Sequence, residues 1–313
     1  MSESENVLSL PSCRSNLFNP ADSYVKTLGS KRSQTTVENC VRNIAKILGH
    51  TSSDRVEWSK LRRCHWQKIL GALEEKGCSP STKNLYLTVF KGVAKEAWSN
   101  DLLPQSAYLK ISSLKSLKFE RLPKGRSLDL EEGRRLLESC FNGTTKGFRD
   151  RAIFAVMMGC GLRRAEVVSL KLANWNCIDR SFSFIGKGNK ERRVYLPKNL
   201  DKYIDEWLIK RGLGAGTFFP PICQGKNTDK LKLDKELTST SIYRLLMNQA
   251  DFADLGKIRP HDLRRTFATR MLEAGSDLFI LQKAMGHSSV ATTARYDYRN
   301  EQSRRKVCKE LTF

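Results

Sequence analysis

The sequence predicts a mostly helical protein in two domains, with one small antiparallel β-hairpin in its C-terminal half. Three observations carry that expectation. Apolar residues recur at helical spacing through most of the 313 positions. One pair of β-rich segments breaks this rhythm, Ser181–Ile185 and Arg192–Leu196, on either side of the Gly-rich tip Gly186-Lys187-Gly188-Asn189-Lys190. The length, at roughly 150 residues per domain, makes two domains. Between them, 113–126 is basic, contains Pro and Gly and has no clean period, which marks an interdomain linker.

Taken in order, residues 1–16 are polar and Ser-rich and read as a flexible tail without the apolar core of a signal peptide. Residues 17–112 read as consecutive helices. Thr35 to Leu48 places Val37, Val41, Ile44, Ala45 and Leu48 on one face, and Trp66 to Glu75 carries Ile69, Leu70 and Leu73 up to Gly77. Ser79-Pro80 opens a long helix whose stripe is Tyr86, Phe90, Val93, Ala94 and Ala97. Lys83, Lys91 and Lys95 lie off that stripe, where they either track phosphates or solvate a surface. After the linker, Asp129 to Cys140 and Phe148 to Met158 read as helices, the second apolar enough to be buried. A basic, Pro-containing insertion is expected over about 212–238, and helices return from Ser239.

Charge narrows the partner. Lys and Arg number 55 against 33 Asp and Glu, a net +22, and the excess is shared between 1–126 and 127–313 instead of forming a basic tail. A positive field over a whole folded surface suits a polyanion such as nucleic acid. No stretch of about 18 apolar residues is present, so no membrane span is expected and the protein reads as cytoplasmic. Nine cysteines without a C-x-x-C spacing read as reduced thiols, not as a disulfide framework or a zinc site. Only four histidines occur, at 50, 65, 261 and 287.

Four clusters in the C-terminal half hold the chemistry-bearing residues. Gly161-Leu162-Arg163-Arg164-Ala165-Glu166 follows an apolar helix, and an Arg at such a helix start can hold a phosphate bidentately; Arg163 and Glu166 also fit a surface ion pair. Lys187, at the hairpin tip, can reach a ligand or simply solvate a turn. In Arg259-Pro260-His261-Asp262-Leu263-Arg264-Arg265 the proline favours a helix start, so His261 and Arg264 share a face near an anion-attracting N-terminus. A capping segment reads the same way. In the fourth, a helix from Asp277 to Met285 ends at Gly286 beside His287, and Ser289 caps a further helix that brings round Tyr296.

Together these clusters resemble the tyrosine recombinase (phage integrase-like) family, whose pattern runs Arg, Lys, His-x-x-Arg, His, Tyr. The likeness rests on Gly-Leu-Arg-x-x-Glu, Gly-Lys-Gly-Asn-Lys-Glu-Arg, His-x-Leu-Arg, Leu-x-x-x-x-Gly-His-Ser and Thr-Thr-x-x-Tyr, and covers about 128–313. It implies an α+β catalytic domain over 127–313, a helical, SAM-like core-binding domain over 17–112, and a C-shaped clamp of the two around DNA. It makes Arg163 and Arg264 the phosphate clamp, Lys187 the acid for the leaving 5′ oxygen, His261 and His287 the active-site histidines and Tyr296 the nucleophile, with Glu166 supporting them. Arg164 and Tyr298 are runners-up. Arg265 stands where many relatives carry His. Further DNA contacts are expected from Lys83, Lys91, Lys95, Lys190, Arg192, Arg193 and Arg265.

The implied activity is site-specific recombination of double-stranded DNA through a 3′-phosphotyrosine and a Holliday junction. A homotetramer on two sites would act, a dimer per site, with accessory DNA-bending or directionality proteins as further partners. Two guanidiniums and an imidazole answer the charge that develops on the phosphate, and a Lys answers that on the leaving oxygen. The phosphotyrosine conserves the bond energy, and the sequence holds no P-loop and no clustered carboxylates, so neither cofactor nor metal is expected. Integration and excision of a mobile element is the expected role, because no extra N-terminal arm-binding domain is evident. The alternatives are chromosome or plasmid dimer resolution, a type IB topoisomerase-like enzyme and a non-catalytic DNA-binding relative. The tail from Asn300 to Phe313 either folds back on its own core or docks on a neighbouring subunit.

Overall fold

Ser79 accepts a hydrogen bond from Thr82 N at 3.2 Å and Pro80 stands at the first helical position, so the longest helix begins where the sequence places it. The computed structural model describes residues 18–119, 125–185, 191–223, 230–287 and 289–296. The 1–16 tail, the hairpin tip with Lys187 and Lys190, Tyr298 and the C-terminal tail lie outside the described residues. The chain divides into two units, Met1–Arg121 and Leu122–Phe313.

The first unit contains α1 (Pro20–Lys26), α2 (Lys31–Ile47), α3 (Arg63–Glu75), α4 (Pro80–Ser99) and α5 (Gln105–Ser112). Helix α2 starts a turn earlier than its apolar stripe implies, because Ser30 caps it through Ser33 N at 3.2 Å. Helix α3 does the same, with the His65 ring accepting from Arg62 N at 3.0 Å. The predicted α4 stripe is buried and packs with Ile44, Ile69 and Ile111 in one core. Gly92 lets α1 approach: a Cβ there would stand 2.3 Å from the Tyr24 ring.

Two of the α4 lysines expected to contact phosphates make bonds within this unit. Lys91 Nζ donates to Ser112 O at 2.8 Å and Leu114 O at 2.5 Å, satisfying carbonyls at the end of α5. Lys83 pairs with Glu74 at 3.2 Å. Lys95 is exposed. The start of the predicted linker is held as well, since the Asn84 amide bonds both the N–H and the C=O of Leu117, at 2.8 and 2.9 Å.

The second unit runs α6 (Leu130–Ser139), α7 (Thr145–Gly159), α8 (Arg164–Ser169), β1 (Trp175–Asn176), β2 (Ser181–Ile185), β3 (Glu191–Tyr195), α9 (Asp201–Arg211), β4 (Ile222–Cys223), β5 (Lys230–Leu231), α10 (Ser239–Phe252), α11 (Pro260–Glu273), α12 (Leu278–Met285) and α13 (Val290–Ala294). Helix α7 is its centre, with Ala152 through Met157 fully buried. The predicted hairpin forms, antiparallel and in the register Phe182↔Val194 and Phe184↔Arg192, and β1 adds a third strand at the β2 edge. Phe182, Phe184 and Val194 turn toward the α7 core. Leu128 N donates to Thr266 Oγ1 at 2.9 Å, which ties the segment just after the predicted linker to α11.

Helix α9 and strand β1 add to the expected elements, and the expected 212–238 insertion needs correcting. Phe218 and Phe219 belong to the main core, Trp207 Nε1 donates to Phe218 O at 3.0 Å, and buried Arg211 grips Thr217 O and Gly214 O. The segment is thus partly structural: its aromatic pair is packed like any core residue, and β4 and β5 form a short ribbon beyond it. Among the described residues no helix is long and apolar enough to cross a membrane.

Candidate active site

Helix α7 ends in a tight turn at Gly161, whose φ of +61° favours glycine and where a Cβ would stand 2.3 Å from the Phe267 ring. The turn therefore lies against α11 and delivers Arg163 to the N-cap of α8. The expected Arg163–Glu166 pair is a capping box and an ion pair at once. Glu166 accepts from Arg163 N at 2.7 Å and from Arg163 Nη1 at 2.8 Å. Arg163 itself stays partly exposed, with one further long contact, Nη2 to Gly286 O at 3.5 Å.

Helix α11 presents the third cluster. Asp262 caps it by accepting from Arg259 N at 2.8 Å, as the capping reading expects. Arg264 is 1% exposed. Its guanidinium donates to Gly161 O, to Met285 O at 2.5 Å and toward His287 Nε2 at 3.0 Å, which locks the α7 turn, α11 and the end of α12 together. Burial first, and then the Arg163 charge, pull Arg264 down to about 10, so it is still a cation at neutral pH. His261, on the first turn and open to solvent, is held below the ordinary imidazole range by the protein around it and then by Arg264, Arg164 and Arg163.

The fourth cluster closes the site. Asp277 caps α12, and Gly286 ends it at φ +61°. That turn places His287 between two partners, Arg264 and Thr293 Oγ1, the latter 2.9 Å from Nδ1. A guanidinium can only donate, so Nε2 is the acceptor and Nδ1 carries the proton. Ser289 caps α13, which ends at Ala294; Tyr296 follows in the turn beyond it and not within the helix. Its ring stacks on His287 at 5.9 Å and 14°, and the Arg265 guanidinium lies 5.7 Å from the same ring.

Burial and then Arg264, Arg163 and Arg192 push His287 down to about 4, so its imidazole is neutral at pH 7. The folded chain takes up this proton less readily than the unfolded chain, whose histidine titrates near 6.5. Stability is then flat above that value, falls as pH drops toward about 4 and levels below it, and His261 acts in the same direction. Thermal midpoints taken from about pH 7.5 to about pH 4.5 should fall less for His287→Gln than for the native chain. Equal falls would contradict a neutral, confined His287.

Arg163 is thus bonded to Glu166, and Arg264 and Tyr296 each meet His287; the two groups converge on the backbone of Met285 and Gly286, with His261 one turn of α11 from Arg264. Lys187 and Lys190 lie outside the described residues. Arg193 bonds Ser183 Oγ at 3.2 Å and Asp179 at 3.4 Å on the outer side of the sheet. Arg192, expected to contact DNA, bonds Glu166 Oε2 and Ala284 O within the site, at 2.7 Å each. Strand alternation carried the signal for this, because Arg192 shares its face with buried Val194. Arg164 bonds Ser239 O at 3.3 Å, apart from the Glu166 bridge.

Residues 126–303, more than half of the chain and all of this site, match the profile of the phage integrase family. The chain belongs to that family. The tyrosine recombinase XerC of Salmonella typhi is 27% identical over 287 residues, 88% of this chain and 89% of that one. XerC of Shewanella oneidensis is 31% identical over 237 residues, 75% and 73% of the two. XerD of Staphylococcus saprophyticus is 27% identical over 290 residues, 91% and 92%. Solved structures share the fold: a lambda integrase dimer bound to a core site, at TM-score 0.67 and 14% identity over 90% of this chain and 95% of that one, and the Tn1549 transposon integrase with transposon right end DNA, at 0.68 and 16% over 94% and 99%. This phage integrase family member is a tyrosine recombinase, a DNA strand transferase, and its mostly helical fold with small antiparallel sheets is the one the sequence predicts.

Proposed function

We propose that this chain cleaves and rejoins duplex DNA at defined sites, with Tyr296 as the nucleophile. The observation that carries the reading is the contact chain Arg163–Glu166 and Arg264–His287–Tyr296, which gathers a phenol, two cations and a neutral imidazole at one place. The Tyr296 oxygen forms a bond to the scissile phosphorus, and the bond from phosphorus to the 5′ oxygen breaks. Arg163 and Arg264 stabilise charge on the non-bridging oxygens; both are preorganised, so little reorganisation accompanies the reaction. Lys187 protonates the departing 5′ oxygen. A histidine neutral at pH 7, as His261 is, can accept the phenol proton. Attack of a 5′ hydroxyl on the phosphotyrosine reverses these steps and joins the strand to a new partner.

The reading extends to a two-domain clamp on DNA and a tetramer on two sites. Its biological role is dimer resolution: the sequence relatives above, matched over most of their length, are named XerC and XerD, which favours this alternative over the mobile-element role expected from sequence. The test is a plasmid carrying two direct copies of the duplex that the full-length protein selects from a random pool. Deletion between the copies is the expected product. Relaxation of site-free supercoiled plasmid without deletion would instead favour a topoisomerase-like enzyme.

A further inference from the structure

Glu166 is a buried acid, 8% exposed, and it holds two guanidiniums at once. Its Oε1 takes Arg163 Nη1, while Oε2 takes both Arg163 N and Arg192 Nη2. Arg192 comes from β3, with its guanidinium 4.8 Å from the Phe184 ring. Its other arm donates to Ala284 O at 2.7 Å, in the last turn of α12 just before His287. Gly286 is matched to this arrangement, since a Cβ there would stand 2.9 Å from Arg192 Nη1. One side chain therefore links the hairpin that carries Lys187 to the Arg163 anchor and to the turn that carries His287.

We infer that Arg192 is a positioning residue for strand cleavage, acting through Glu166 and the end of α12 rather than by touching DNA. This rests on the proposed function. A carboxylate with two oxygens will take a single guanidinium bidentately when nothing else competes, because planar fork-to-fork pairing is the favoured geometry. Arg192 and the Arg163 N–H occupy Oε2, so Glu166 engages only one arm of Arg163, and the other, in long contact with Gly286 O, keeps a donor for a phosphate. Without Arg192 only the Arg163 N–H still holds Oε2, so the carboxylate can turn toward the second arm and draw Arg163 back from where the scissile group must sit. The same loss releases Ala284 O and loosens the turn before His287. The Arg192 side chain is only 9% exposed, which turns it away from the DNA-facing role that its basic neighbours suggest.

The experiment compares native protein, Arg192→Gln, Glu166→Gln, the double variant and Arg192→Lys. The probe is a nicked suicide duplex built on the sequence that the full-length protein selects. Covalent adduct formation is followed at saturating duplex, and affinity is measured separately on the intact duplex. Arg192→Gln should slow adduct formation by about 10–100-fold, the scale of a misplaced reacting group, while affinity stays within about twofold. The double variant should be no slower than the slower single variant, since both changes break one unit. Arg192→Lys keeps the charge and one donor, so it should recover part of the rate; it also carries the comparison if Arg192→Gln does not fold. An undiminished rate in Arg192→Gln, losses that multiply in the double variant, or a fall in affinity in place of rate would each overturn the inference. If the native protein forms no adduct, the proposed function fails first, and the comparison reports that separately.

Discussion

Tyr296→Phe binds duplex DNA with native affinity and forms no covalent protein–DNA adduct. The substitution removes one oxygen from a side chain whose ring still stacks on His287, so the packing at 5.9 Å is retained. Only the atom that attacks phosphorus is gone, and adduct formation falls by at least about 10³-fold, as expected for a missing covalent nucleophile. Adduct yield on a nicked suicide duplex measures this, with gel shift on the intact duplex as the control. An adduct that survives Tyr296→Phe and disappears in Tyr298→Phe would move the nucleophile by two residues.

The second large effect separates the two arginines, which the sequence treats alike and the structure does not. Arg163 is partly exposed and rests on Glu166, so Arg163→Ala should fold normally and lose about 10²–10³-fold in cleavage, the scale for one preorganised donor. Arg264 is a structural cation as well. Its removal leaves Gly161 O, Met285 O and His287 Nε2 without their donor, and an unmet buried carbonyl costs about 1–3 kcal/mol. Arg264→Ala should therefore lose cleavage to a similar degree and also melt several degrees lower, whereas Arg163→Ala should not. Thermal unfolding beside adduct yield checks both. A native midpoint for Arg264→Ala would contradict the keystone role that its three contacts describe.

How much of this was legible depends on where the information lay. The clusters around Arg163, Arg264, His287 and Tyr296 could be read because each sits at a helix boundary with its own punctuation: Gly161, Pro260, Gly286 and Ser289. Local signals of this kind survive without tertiary knowledge. The fates of the peripheral lysines and arginines were not local. Lys91 follows Phe90 on α4, and nothing near it announces that the carbonyls closing α5 will arrive beside its ammonium. The placement of Arg192 was hidden for a different reason. A basic run suggested a solvated, DNA-facing strand, while the two-residue alternation with Val194 pointed inward, and the alternation decided the outcome because Glu166 was there to neutralise the buried charge. The segment after α9 was similar: its prolines and lysines read as an insertion, yet Phe218 and Phe219 anchor it in the core.

The most direct measurement is peptide mapping of the trapped adduct. The native protein is incubated with the nicked suicide duplex, the complex is digested with nuclease and protease, and the modified peptide is sequenced by mass spectrometry. The account predicts a nucleotide joined by a 3′-phosphate ester to Tyr296. A nucleotide on Tyr298, on a serine or on any residue outside the Arg163–Arg264–His287 constellation would contradict it.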